Sequence, residues 1–146
     1  MQTLKRILLA EDNPNDIELT LEAFAEAKIA NEIVVVRDGA EALDYLLCQG
    51  KFEARADGNP ILVLLDLKMP KVNGLEVLAQ IRQNPNLKRL PIVMVTASRE
   101  EQDLVKSYDL GVNAYVVKPV GFTEFTEAIK QIGAFWAILN EAPPMG

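Results

Sequence analysis

Short apolar runs alternate along the chain with segments whose apolar residues recur at three- and four-residue spacing. Ile7-Leu8-Leu9, Ile61-Leu62-Val63-Leu64-Leu65 and Ile92-Val93-Met94-Val95 are continuously apolar, the pattern of central strands covered on both faces. Strands are predicted at residues 6–10, 32–37, 61–66, 91–96 and 114–118. A helix-period segment follows each one, so the order β-α repeats five times. That alternation implies an α/β fold in which a five-stranded parallel sheet is doubly wound, with helices on both faces.

The helices carry start and stop signals. Pro14 stands at a first helical position after Asn13, and Ile17, Leu21 and Phe24 then form one stripe. Asp38 with Glu41, Asn73 with Glu76 and Ser98 with Glu101 each have the spacing of a capping box. Leu43, Leu46 and Leu47 form the stripe of the second helix, which Gly50 is placed to end. Leu78 and Ile81 lie on the third helix before Pro85, and Leu104, Val105 and Tyr108 on the fourth before Gly111. The last helix is predicted over about residues 123–139, with Phe125, Ile129, Ile132 and Trp136 on one face. Residues 51–60 read as a surface loop and 140–146 as a short tail.

Length limits this pattern to one domain: 146 residues leave no room for a second folded module. The net charge of −6 argues against a nucleic-acid partner. The absence of histidine excludes a histidine-based triad or metal site. The single cysteine, Cys48, cannot form an internal disulfide and reads as a small buried helical residue. Basic residues precede the first apolar run, but Glu11-Asp12 ends it far short of a signal peptide core or membrane span. The chain is therefore expected in the cytoplasm, with no membrane partner.

Ligands of an open parallel sheet bind beyond the carboxyl ends of its strands. Here those ends carry Glu11-Asp12, Asp66, Thr96 and Lys118-Pro119. Taken singly, each has a bland account: an acidic helix start, a turn aspartate, a turn hydroxyl, a surface lysine. Their coincidence at one edge does not. Three clustered carboxylates repel one another and call for a cation. Oxygen-only ligands with room for water make Mg2+ the leading candidate. Asp66 could then act as a nucleophile toward phosphorus, with Lys118 and Thr96 meeting the phosphoryl oxygens.

These motifs, Leu9-Ala10-Glu11-Asp12-Asn13, Leu65-Asp66-Leu67-Lys68-Met69-Pro70 with Asn73-Gly74, Val95-Thr96-Ala97 and Val117-Lys118-Pro119, resemble the CheY-like receiver domain of two-component signalling. The resemblance covers residues 4–139. It implies the flavodoxin-like strand order 2-1-3-4-5, and a response regulator whose Asp66 accepts a phosphoryl group from a histidine kinase. By the same resemblance Asp12 holds Mg2+ directly, Glu11 through water, and Lys68 by its backbone carbonyl. Thr96 and Tyr115 form the switch, and a cis bond before Pro119 aims Lys118 into the site. Such a chain is no enzyme beyond its own Mg2+-dependent phosphorylation and dephosphorylation, and it signals through a protein surface that phosphorylation reshapes. The alternative is a relay intermediate that passes the group to a histidine phosphotransfer protein.

The extended loop over 49–60 and the last helix resemble a subgroup serving cyanobacterial phytochrome kinases. Apolar residues beyond the inward stripe, Phe122, Phe135, Ile138 and Leu139, point to a homodimer through the face of the fourth helix, fifth strand and fifth helix. Rival families fit less well. A haloacid dehalogenase-type phosphatase wants an acid where Lys68 stands. A flavodoxin's phosphate loop is replaced by Glu-Asp-Asn-Pro. A pseudo-receiver lacks a residue that is present here.

Overall fold

The structure is a computed structural model and describes residues 5–97, 100–118 and 122–132. Five parallel strands, β1 (Ile7–Ala10), β2 (Ile33–Val36), β3 (Leu62–Leu65), β4 (Ile92–Thr96) and β5 (Ala114–Val117), form one sheet in the order 2-1-3-4-5. The helices are α1 (Pro14–Glu26), α2 (Gly39–Leu47), α3 (Gly74–Gln83), α4 (Glu101–Asp109) and α5 (Phe122–Ile132). The fold is thus the doubly wound α/β arrangement that the alternation implies, with the strand order that the receiver-domain resemblance implies.

Period-two alternation divides the strand side chains between two cores. Leu8, Val63, Leu65, Ile92 and Met94 face α2 and α3, where Leu46, Leu78 and Ile81 meet them. Ile7, Leu9, Leu64, Val93 and Val95 face α1 and α5, where Phe24, Phe125 and Ile129 meet them. The central strands β1, β3 and β4 are buried throughout, whereas every residue of the edge strand β5 is half-buried.

Most punctuation acts as its chemistry requires. The side chain of Asn13 accepts from the Asn15 and Asp16 amides with Pro14 at the helix start, and Asp38 and Asn73 accept from the Glu41 and Glu76 amides. Asn84, held extended before Pro85, ends α3.

Other expectations need correction. Leu21 is 38% exposed, because the inward face of α1 is carried by Ile17, Thr20, Ala23 and Phe24. The second helix ends at Cys48, in the left-handed conformation at φ 54°, two residues before Gly50. Cys48 is therefore a half-buried cap and not an interior helical residue. The loop that follows opens with a 3-10 turn, Gly50–Phe52.

α4 departs most. It begins after Glu100, which makes no side-chain cap, and Ser98 lies outside the described residues. Its less exposed positions are Asp103 and Ser107, with Leu110 as the cap just past its end, while Leu104, Val105 and Tyr108 are 38–51% exposed. The cis bond before Pro119, and Phe135, Trp136, Ile138 and Leu139 of the last helix, also lie outside the described residues.

Arg55 fastens the long loop to the body. Its guanidinium lies 4.1 Å from the Tyr45 ring centroid, donates to the Tyr45 carbonyl from Nε and Nη2 at 3.0 and 2.7 Å, and pairs with Asp57 at 2.8 Å. Asp57 is also paired with Arg6. Because this planar fork is what lysine lacks, Arg55→Ala and Arg55→Lys should both lower unfolding stability, by about 1–3 kcal/mol. Denaturant melts that match wild type for either variant would show the loop to be fastened elsewhere.

Candidate functional site

The carboxyl ends of the central strands place the chemistry. Glu11 follows β1 and donates its amide to the Val36 carbonyl at 3.0 Å; Asp66 follows β3 and donates to the Ala10 carbonyl at 3.0 Å. Thr96 closes β4, and the Lys118 amide donates to its carbonyl at 2.8 Å. Each site residue is thus held by a backbone bond that continues the sheet ladder, so the sheet sets the position of the side chains.

Glu11, Asp12, Asp66, Lys68, Thr96 and Lys118 line one cleft of about 310 Å3. One carboxylate oxygen from each of Glu11, Asp12 and Asp66 can be chosen so that all lie within 4.8 Å of one another. Their burial differs. Glu11, Asp66 and Thr96 are buried, while Asp12 is exposed at the mouth. Lys118, its side chain 10% exposed, reaches Glu11 Oε1 at 2.5 Å, Asp16 Oδ2 at 2.8 Å and Asp66 Oδ2 at 3.5 Å.

Burial is the main influence on Glu11 and raises its pKa from 4.5 to about 7. The neighbouring Asp66 adds to that rise, and Lys118 opposes it without prevailing. For Lys118 burial acts downward, but hydrogen bonds to Asp16 and Glu11 and the charge of Asp66 outweigh it and hold the ammonium above its ordinary range.

Asp66 is also set by a glycine. A Cβ on Gly74, the first residue of α3, would lie 2.3 Å from the Asp66 carbonyl oxygen and 2.8 Å from Leu67 Cα. The Gly74 amide donates to the Leu67 carbonyl at 2.7 Å. Leu67 and Met69 sink into the α2–α3 core, which leaves Lys68 between them exposed at the cleft.

Tyr115 is not in the cleft. It is half-buried against the α2–α3 core and pairs in register with Met94, while Val117 pairs with Thr96. Alternation puts Tyr115 and Thr96 on the same face of the sheet. Phe122 is 42% exposed at the start of α5. Pro119, Phe135, Ile138 and Leu139 lie outside the described residues.

Asp16 escaped the sequence reading. It stands in the first turn of α1, where an acid has a sufficient reason in the helix dipole. The one available signal was its position on the turn immediately beyond the β1 edge, which brings it beside Lys118.

With no histidine in the chain, Glu11 is the carboxyl among the described residues whose raised pKa ties metal-free stability to pH near neutrality. An acid whose folded pKa is raised stabilises below its unfolded value, and that contribution is lost as pH rises through about 7. In chelator, wild type should lose up to about 3 kcal/mol between pH 5 and 8. Glu11→Gln should be nearly flat. Denaturant unfolding at several pH values measures both, and parallel profiles would contradict the assignment.

The chain matches the family model of the response regulator receiver domain over residues 7–130. Three relatives are similar over most of their length. The bacteriophytochrome response regulator RtBRR is 61% identical, with 97% of this chain and 86% of that one covered and a TM-score of 0.80. The phosphorylated cyanobacterial phytochrome response regulator RcpA is 43% identical, with 92% and 94% covered and a TM-score of 0.84. Response regulator Rcp1 of Synechocystis sp. is 42% identical over 90% of this chain and 88% of its own length. Its Mn2+-bound form is matched at a TM-score of 0.85, with 40% identity and 96% and 99% of the two chains covered. The chain belongs to the response regulator receiver family.

Proposed function

We propose that the chain is a phosphorylation switch whose phospho-acceptor is Asp66, supplied by a histidine kinase. The placement of Asp66 carries this reading: its carboxylate belongs to the same oxygen cluster as Glu11 and Asp12 and lies 3.5 Å from the Lys118 ammonium. An Asp66 oxygen attacks the phosphorus of a phosphohistidine, the P–N bond breaks, and the imidazole leaves with a proton taken from solvent. Lys118 then neutralises charge on the phosphoryl oxygens and the Thr96 hydroxyl donates to another.

The three carboxylates, all oxygen donors and one of them open to solvent, fit a hard divalent cation, and we assign Mg2+. Asp12 would hold it directly, Glu11 through water and Lys68 by its carbonyl. When bound, the cation offsets the charge that gathers on the phosphoryl oxygens. Glu11, fixed by Lys118 and by the Asn13 amide at 3.3 Å, keeps the inner wall in place.

We assign the domain to residues 4–139, followed by a tail over 140–146. The partner kinase is of the phytochrome type, a reading supported by RtBRR and RcpA, and the compartment is the cytoplasm. Among the described residues no helix is long and apolar enough to cross a membrane. Thr96 and Tyr115, on one face of the sheet, form the switch. Acetyl phosphate with Mg2+ should label wild type on the peptide containing Asp66. Asp66→Asn should stay unlabelled, and chelator should abolish the reaction. Mass spectrometry that finds the label on another residue would falsify the assignment.

Signalling through a second copy follows from the outward Leu104, Val105 and Tyr108 of α4 and the exposed Phe122 of α5. A twofold contact through the α4-β5-α5 face would cover these residues, each patch meeting its own copy. Val105→Glu should weaken self-association at least tenfold. Analytical ultracentrifugation at micromolar concentration, with and without phosphorylation, decides this; a wild type monomeric in both states refutes the dimer.

A further inference from the structure

The cleft contains one acid that neither the oxygen cluster nor the phospho-acceptor accounts for. Asp16 is not among the three clustered carboxylates, yet its Oδ2 lies 2.8 Å from Lys118 Nζ, across 102 residues of sequence. The dipole of α1 explains an acid in the first turn, but does not explain why a lysine from the end of β5 reaches for it. Its place is rigid: the Asp16 amide donates to Asn13 Oδ1 at 3.2 Å, and buried Ile17 and Thr20 hold the next turn.

The three distances to Lys118 are unequal. Glu11 at 2.5 Å and Asp16 at 2.8 Å are within charge-assisted hydrogen-bond range, whereas Asp66 at 3.5 Å is beyond it. The ammonium is therefore held toward α1 and away from the residue it must serve. A cation held by the oxygen cluster would draw on Glu11, whereas Asp16 lies outside that cluster. Asp16 then remains as the anchor competing with a phosphoryl group for the same ammonium. Its side chain is 30% exposed against 10% for Lys118, so the pair is partly shielded from water.

We propose that Asp16 is a positioning residue: it tethers Lys118 off Asp66 in the unphosphorylated chain and thereby slows phosphorylation of Asp66. This rests on the assignment of Asp66 as phospho-acceptor. Release of the tether lets the lysine approach the phosphoryl oxygens sooner, so the effect acts through Lys118 and requires it.

The experiment compares initial rates of Asp66 phosphorylation by acetyl phosphate at fixed Mg2+ in wild type, Asp16→Asn, Asp16→Glu, and Lys118→Ala with and without Asp16→Asn. Asp16→Asn, nearly isosteric, should raise the rate about three- to tenfold. Asp16→Glu, which keeps the charge, should lie nearer wild type. In the Lys118→Ala background Asp16→Asn should change nothing, an outcome that a general repulsion of the anionic donor does not produce. A second readout needs no metal: the Lys118 side-chain Nζ resonance should move in Asp16→Asn by NMR. The inference is overturned if wild type is labelled and Asp16→Asn is no faster, if the gain survives in Lys118→Ala, or if the Nζ resonance stays in place. An unlabelled wild type overturns the phosphorylation reading instead, while the resonance still reports on the tether.

Discussion

The crowding of like charge at one end of the sheet is the constraint on which the site depends. Glu11 and Asp66 are buried side by side, and the ammonium of Lys118 is the positive group that touches both. Charges taken out of water are tolerated only when paired and hydrogen-bonded. Burial, with Asp66 beside it, raises the Glu11 pKa, and the Lys118 ammonium only partly opposes that rise. The three carboxylate oxygens that converge there suit a divalent cation, which would complete the compensation and relieve the electrostatic load on the metal-free fold. The sheet holds the load, because the Glu11, Asp66 and Lys118 amides are all fixed in the backbone ladder.

Much of this was legible in the sequence because the signals were chemically redundant. The runs of β1 and β3, and of β4 up to Val95, are apolar at every position, which a strand covered on both faces requires, and strand ends in such a sheet are where ligands bind. The Asn13, Asp38 and Asn73 caps were legible because each side chain satisfies amides of its own helix, a local matter.

What was illegible depended on neighbours distant in sequence. Leu21 extends the α1 stripe in spacing, but which positions are covered depends on where α5 lies. Asp16 had a sufficient local reason to be acidic, and its contact with Lys118 exists only once β5 is placed. Gly74 stands in the sequence only as part of the Asn73-Gly74 motif, whereas its cause is the Asp66 carbonyl pressed against the start of α3. Cys48 shows the opposite: a local rule favoured Gly50 as the helix stop, and the chain turned two residues earlier on a residue that tolerates the left-handed region less well.

The inverted polarity of α4 has a kinetic meaning. Its inward positions are Asp103 and Ser107, with Leu110 capping its end, and the Ser107 hydroxyl donates to the Asp103 carbonyl of its own helix. A helix that buries so little apolar surface has a low free energy of local opening and belongs to the segments that exchange amide hydrogens before the core. The strand it lies against, β5, is half-buried throughout, while Ile92 and Met94 of the adjoining β4 are fully buried and belong to the slow core. The molecule therefore carries a soft helix against the edge of a hard sheet, just past the strand that ends in Thr96.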